Sequence, residues 1–368
     1  MKYKLLGRSG LRVSEICLGT MTFGSNWGWG ADNAECRRML DHFLDVGGNF
    51  VDTANLYTFG DAERIIGEII TPERRRRCVL ASKYTDAPPG DDANAGGNHR
   101  KNMMQSIDDS LKRLKTDYLD IYYVHTWDFT CRPDEVLRAL DDLTTQGKIL
   151  YAGISDAPAW VISRCNELAD HRGWTPFVVN QIEYSLIERT AEREQIPMSR
   201  ALDIGIVAWS PLAGGLLTGK YSREARPDEP RRMDVSVYKA QTQRGLDIAS
   251  TVDRIADEIG RSSSEVALAW IGSQGVIPII GGRSLAQIAQ NLEYPSIELD
   301  ASQLARLDEV SRIELGFPHD FFESAKGFVY GGMFDNVQRH RDDGIGRSGE
   351  RRIGLGYSDH NYTDVVVP

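Results

Sequence analysis

Eight short apolar runs, each followed by a stretch with helical spacing, constrain this 368-residue chain more than any other feature. The runs fall at 16–19 (ICLG), 49–52 (NFVD), 78–83 (CVLASK), 118–125 (YLDIYYVH), 149–155 (ILYAGIS), 177–184 (FVVNQIEY), 205–211 (GIVAWSP) and 276–281 (VIPIIG). Helical spacing covers 33–46, 61–70, 99–114, 133–146, 158–171, 190–203, 248–259 with 264–273, and 284–293. Asp32 is placed to cap the first of these, and Pro133 fits a first helical position. Most runs are apolar nearly throughout, as strands buried on both faces are. Eight alternations predict an α/β fold of the (β/α)8 TIM-barrel type. A doubly wound sheet also alternates, but its Gly-rich GxGxxG after an early strand is missing.

Three segments lie outside the repeat. Residues 3–19 read as an N-terminal β-hairpin turning at GRSG and leading into the first strand. Residues 219–247 are polar and Arg-containing and read as a long loop after strand seven. The barrel is expected to span 1–315, leaving 316–368 as a C-terminal tail. Its first half, with Phe317, Phe321, Phe322 and Phe328, is expected to pack on the barrel. The charged, Gly-rich end from 339 is expected to be loose.

In such a barrel the chemistry sits at the C-terminal ends of the strands. The run ends carry Asp52, Lys83, His125, Ser155, Gln181, Trp209 and Gly281, with Tyr57 just past the second. Singly, each has a plain structural reading: a strand cap, a solvated strand end, a satisfied histidine. Their convergence on one face argues for a site. A phenol has an ordinary pKa near ~10, and a nearby ammonium lowers it. Lys83 supplies that charge, and Asp52 holds the lysine charged and in place. His125 can orient a carbonyl oxygen through a hydrogen bond. The four side chains form an acid set for protonating a carbonyl oxygen as hydride arrives at carbon.

DTANLY at 52–57, ASK at 81–83, YYVHTWD at 122–128, GIS at 153–155, NQIEYS at 180–185, WSPLAGGLLTGKY at 209–221 and IIGGRSLAQIAQNL at 279–292 resemble, in this order, the aldo-keto reductase superfamily. The resemblance covers about residues 1–315. It implies a (β/α)8 barrel, an NADPH/NADP+ cofactor bound without a Rossmann domain, and carbonyl reduction, with Tyr57 as acid/base, Asp52 and Lys83 tuning it, and His125 orienting substrate. It further implies that Trp209 stacks on the nicotinamide and that Ser155 and Gln181, with Thr20 nearby, contact its carboxamide end. Ser210, Pro211, Leu212, Gly214, Leu216 and Lys220 would cradle the pyrophosphate. Gly281, Arg283 and the amides opening the last helix would take the adenosine 2′-phosphate, favouring NADPH over NADH. Gln287, Gln290 and Asn291 would touch the adenine end, and Arg232 would close over the cofactor. Many relatives have Asn where this chain has Asp156, and an aspartate can only accept.

Two features mislead. GGLLTGKY (214–221) nearly matches a phosphate-binding P-loop, but Tyr221 stands where a magnesium-binding hydroxyl belongs. The run RRRR at 74–77 reads as a solvated charged turn. Aromatics after strand one (Trp27, Trp29) and strand four (Trp127, Phe129, beside Asp128) are expected to wall a substrate pocket suited to aromatic aldehydes, flat ketones or the apolar face of a sugar. The Trp127–Asp128 pair resembles the branch of potassium-channel β-subunits and bacterial sugar or aldehyde reductases.

The net charge of −10 argues against nucleic acid and anionic membranes as partners. Five scattered cysteines suggest neither disulfides nor a zinc site. The N-terminus lacks an apolar signal region and no run of ~18 apolar residues occurs, so a cytoplasmic location is expected. Three functions compete. The first is an NADPH-dependent reductase of small carbonyl compounds. The second is an NADPH-binding regulatory subunit with little turnover. The third is a metal-dependent barrel hydrolase, disfavoured because His125 is the one histidine at a strand end.

Overall fold

The computed structural model describes residues 1–221 and 242–336. Its strands are β1 (Tyr3–Leu5), β2 (Arg12–Ser14), β3 (Cys17–Gly19), β4 (Phe50–Asp52), β5 (Val79–Tyr84), β6 (Leu119–Val124), β7 (Ile149–Ser155), β8 (Phe177–Glu183), β9 (Gly205–Trp209) and β10 (Ile277–Ile280). The helices are α1 (Asn33–Asp45), α2 (Asp61–Ile69), α3 (Pro72–Arg77), α4 (Arg100–Leu114), α5 (Pro133–Thr145), α6 (Ala159–Arg172), α7 (Gln195–Ala201), α8 (Gln243–Ile259), α9 (Ser263–Ser273), α10 (Leu285–Asn291), α11 (Ala301–Ser311) and α12 (His319–Val329). Strands β3 to β10 pair in parallel in chain order, and β10 closes on β3. This is the expected (β/α)8 barrel, with every apolar run supplying one stave.

Strand periodicity divides the core. Cys17, Phe50, Val79, Ala81, Ile121, Tyr123, Val179, Val207, Ile277 and Ile279 form one cluster inside the barrel. Their neighbours one residue along, such as Leu80, Tyr122, Val124 and Ile154, pack outward with helical residues including Met39, Leu40, Ile107 and Leu140. Two-sided burial of this kind explains why the runs carry little alternation. The antiparallel β1–β2 hairpin plugs the N-terminal mouth, adding Leu6 and Val13 to the inner cluster. Gly7 permits that approach: its φ is +55°, and a Cβ there would lie 2.4 Å from the Val178 carbonyl oxygen.

Local signals set the helix starts. Asp32 accepts from the Glu35 amide at 2.8 Å to cap α1, Pro133 opens α5, and Ser262 with Glu265 forms a capping box at α9. The RRRR run differs from expectation. It lies in α3, and Arg75 is buried, donating to Asp120 Oδ2 at 2.7 Å and to the Cys78 and Tyr118 carbonyls at 3.1 and 2.7 Å. Only Arg76 and Arg77 are fully solvated.

The tail also differs in its described part. Helix α12 contains no buried residue, and Phe317, Phe321 and Phe328 are exposed instead of packing on the barrel. Most of the loop after β9 and the charged end from 339 lie outside the described residues. Among the described residues no helix is long and apolar enough to cross a membrane.

Candidate active site

Asp52 ends β4, and Lys83 lies near the end of β5 beside it. Both are buried, Lys83 completely. An ammonium has three protons to donate. Lys83 Nζ gives them to Asp52 Oδ2 at 2.5 Å, to the Thr53 carbonyl at 3.0 Å and to the Tyr57 hydroxyl oxygen at 3.1 Å. Gln181 Nε2, from β8, donates to the other Asp52 oxygen at 2.9 Å. Thr20 Oγ1 and its amide both donate to the Asp52 carbonyl, at 2.9 and 3.0 Å. The carboxylate and ammonium thus hold each other without slack.

Burial would lower the Lys83 pKa, but Asp52 and Tyr57 outweigh it and hold the group above its ordinary value. For Tyr57 the balance differs from the sequence-based expectation. Burial raises the phenol, Lys83 pulls it down, Asp52 pushes it up, and the net direction is upward. The hydroxyl therefore stays protonated at neutral pH. Because its oxygen accepts from Lys83, its own proton is left to point at a reacting group.

Tyr57 is held by a costly local backbone. Thr58 and Phe59 have φ values of 49° and 57°, in the left-handed region that non-glycine residues avoid. Thr58 Oγ1 secures the turn by donating to the Phe23 carbonyl at 2.8 Å and accepting from the Ala62 amide at 3.0 Å. Trp27 meets the Tyr57 ring edge-on at 6.4 Å between centroids, and His125 does so at 5.9 Å. His125 follows β6, and its Nδ1 lies 3.0 Å from Asp86 Oδ2.

Trp27 packs at 5.8 Å from Trp29 and 6.0 Å from Phe59, so the loop after β3 builds an aromatic wall beside Tyr57. Phe129, 68% exposed, stands on the loop after β6. Trp127 is placed otherwise: it is 4% exposed and belongs to the core between barrel and helices. Asp128 organises that loop by accepting from the Asn98, Thr130 and Cys131 amides at 2.7, 2.9 and 3.2 Å.

The neighbouring strand ends carry the expected cofactor set. Trp209 closes β9 half-buried. Ser155 Oγ, at the end of β7, is buried without a hydrogen-bonding partner of good geometry. Gln181, expected on a carboxamide, spends its amide nitrogen on Asp52. After β9 the backbone takes positive φ at Ser210, Ala213, Gly214, Gly215 and Gly219, folding Pro211, Leu212 and Leu216 into a tight irregular turn that ends at exposed Lys220. Gly281 is exposed just ahead of α10; Gln287 and Gln290 lie along that helix, and Asn291 is buried. The amides there are partly committed. Arg283 N donates to Gln287 Oε1 at 2.8 Å and Leu285 N to Glu35 Oε1 at 2.5 Å. Two of the amides expected to meet a phosphate at this corner are thus already bonded within the protein. Arg232 lies outside the described residues.

A nicotinamide dinucleotide fits these residues. The buried Ser155 hydroxyl, which lies beside Asp156 without a well-formed hydrogen bond, offers a polar contact at the end of β7. The turn at 210–219 is backbone bent for a close approach. No group of three or more His, Cys, Asp or Glu capable of holding a metal occurs among the described residues.

Besides the Gln181–Asp52 and His125–Asp86 contacts, sequence reasoning missed one that joins two strand ends. Asp156 Oδ1 accepts from Trp209 Nε1 at 3.0 Å. Its only signal in the sequence was the aspartate at a position where many relatives have asparagine.

A model of the aldo/keto reductase family matches residues 15–312. Curated relatives agree. A norsolorinic acid reductase of Aspergillus flavus is 36% identical over 330 residues, 86% of this chain and 82% of its own. A putative aryl-alcohol dehydrogenase of Saccharomyces cerevisiae is 36% identical over 324 residues, 84% of this chain and 86% of its own. An NADP(+) aryl-alcohol dehydrogenase of Phanerodontia chrysosporium is 36% identical over 336 residues, 85% of this chain and 86% of its own.

Proposed function

This chain belongs to the aldo/keto reductase family of oxidoreductases, and from that premise we propose that it interconverts aromatic aldehydes or ketones with their alcohols, using NADPH/NADP+ and Tyr57 as proton donor. The observation that carries the reading is the buried Lys83 ammonium, bonded at once to Asp52 and to the Tyr57 hydroxyl. The dinucleotide, when bound, supplies the hydride. Trp209, Ser155 and the 210–220 turn would hold it, with Arg283 and Gln287 at its far end.

The remaining work belongs to the protein. As the carbonyl carbon gains hydride, the C=O π pair moves to oxygen, which becomes basic. Tyr57 gives that oxygen its proton, and the phenolate left behind faces an ammonium 3.1 Å away. Asp52, held by Gln181 and the Thr20–Asp52 contacts, keeps the ammonium in position. His125, edge-on to Tyr57, gives the carbonyl oxygen a second polar contact. Alcohol oxidation runs the same proton path backward.

Two observations support an aromatic substrate. The Trp27–Trp29–Phe59 wall stands beside Tyr57, and the relatives' names refer to aryl alcohols and norsolorinic acid. The test is cofactor oxidation with matched pairs of aromatic and aliphatic aldehydes, using NADPH and NADH. Faster turnover of aromatic members with NADPH is expected. No turnover of any carbonyl, despite tight NADPH binding, would favour a cofactor-binding regulatory role instead.

A further inference from the structure

Asp156 sits one residue past the end of β7 in a conformation that few residues adopt, with φ at 44°. Its backbone is fixed on both sides: its amide donates to the Gln181 carbonyl at 3.3 Å, and its own carbonyl accepts from the Trp127 amide at 3.4 Å. The side chain is thereby aimed at the next-but-one strand, where Oδ1 accepts from the Trp209 indole at 3.0 Å. Burial raises the Asp156 pKa, while the indole N–H, His125, the Ser155 hydroxyl and Lys83 stabilise the carboxylate. Asp156 and Trp209 also line a cleft of about 740 Å³ together with Glu183 and Glu188. Glu183 is the register partner of Trp209 across β8 and β9. Arg193 and Glu194 are the other charged groups on this cleft.

An indole N–H hydrogen-bonded to a carboxylate is polarised, with electron density moved onto the ring. The faces of such a ring attract a cation more strongly than they attract a neutral ring. The nicotinamide ring is cationic when oxidised and neutral when reduced. We propose that Asp156 is a positioning residue for Trp209, and that the anionic charge it sets against the indole biases the site toward the oxidised dinucleotide. This rests on the reading of Trp209 as the nicotinamide-stacking residue. Asparagine at this position would keep an acceptor oxygen for the indole and tolerate the same backbone, but carry no charge. The aspartate therefore sets the redox-state preference in addition to holding the ring.

The test is calorimetric titration of the whole protein with NADP+ and with NADPH, without substrate, for the wild type, Asp156→Asn and Asp156→Ala. Asp156→Asn is expected to weaken NADP+ binding about ten-fold and to leave NADPH within about two-fold. Asp156→Ala, which frees the indole, is expected to weaken both forms. Circular dichroism establishes that each variant is folded. If Asp156→Asn changes both affinities equally, or neither, Asp156 has a structural role alone and the inference fails while the cofactor reading stands. If the wild type binds neither dinucleotide, the cofactor reading fails and takes this inference with it.

Discussion

Lys83 donates to the hydroxyl oxygen of Tyr57 at 3.1 Å, so the phenol receives a hydrogen bond from the cation that would stabilise its conjugate base. Removing the hydroxyl removes the proposed proton donor and leaves the ring that packs against Trp27 and His125. Tyr57→Phe is therefore expected to lower the rate of carbonyl reduction at least ~100-fold, the usual size of a general-acid contribution. Dinucleotide affinity should stay within about two-fold. Equal activity in wild type and variant would assign the proton to another group.

The same lysine matters to stability. Lys83→Met would leave Asp52 buried with Gln181 as its one side-chain partner. An unpaired buried charge typically costs about 3–5 kcal/mol. Urea denaturation should show a loss of that order. The double variant Asp52→Asn/Lys83→Met should recover much of it, since neither buried group then carries charge, while remaining inactive. A double variant as unstable as the single one would mean that packing, not charge, dominates here.

Position within the RRRR run should decide the outcome of substitution. Arg75 donates to Asp120, Thr116 and two carbonyls and stacks on Tyr118 at 4.0 Å. Arg75→Ala leaves Asp120 buried without its cation and is expected to cost about 3 kcal/mol. Arg76→Ala, one residue along and exposed, should fall within about 0.5 kcal/mol of wild type. Comparison of denaturation midpoints checks both.

The barrel was readable because its signals are local. Each stave is a single apolar run, each helix shows its own period, and Asp32 and Pro133 mark starts within one turn. The Asp52–Tyr57 half of the site lies within one short motif, and its partner Lys83 ends the adjacent run. What escaped reading depends on contacts between distant residues. Gln181 reaches Asp52 across 129 positions, Trp209 reaches Asp156 across 53, and Arg75 reaches Asp120 across 45. No local pattern announces such pairs, so Gln181 looked available to a carboxamide and Arg75 looked solvated. Trp127 and the tail phenylalanines show the converse error. Aromatic character in a loop does not say which way the ring turns, and here Trp127 enters the core while Phe317 and Phe328 face outward.

Glu183 offers a pH-dependent prediction. Burial, followed by the charges of Glu188 and Asp156, pushes its carboxyl up to about 7 from the ordinary 4.5. A carboxyl raised in the folded state gives its full relative stabilisation below about 4.5, where folded and unfolded forms both hold the proton. That contribution is lost as pH rises toward about 7, because the unfolded chain ionises freely and the folded one ionises against repulsion. Above about 7 the ionised Glu183 is a standing cost. The group is partly exposed, so solvent screening reduces the cost to about 1 kcal/mol. Glu183→Gln removes the charge and should melt about 2 °C higher than wild type at pH ~8. The difference should shrink as pH falls and approach zero near pH ~4. A difference of the same size at both pH values would show that the substitution acts through packing, and that Glu183 is not titrating between them.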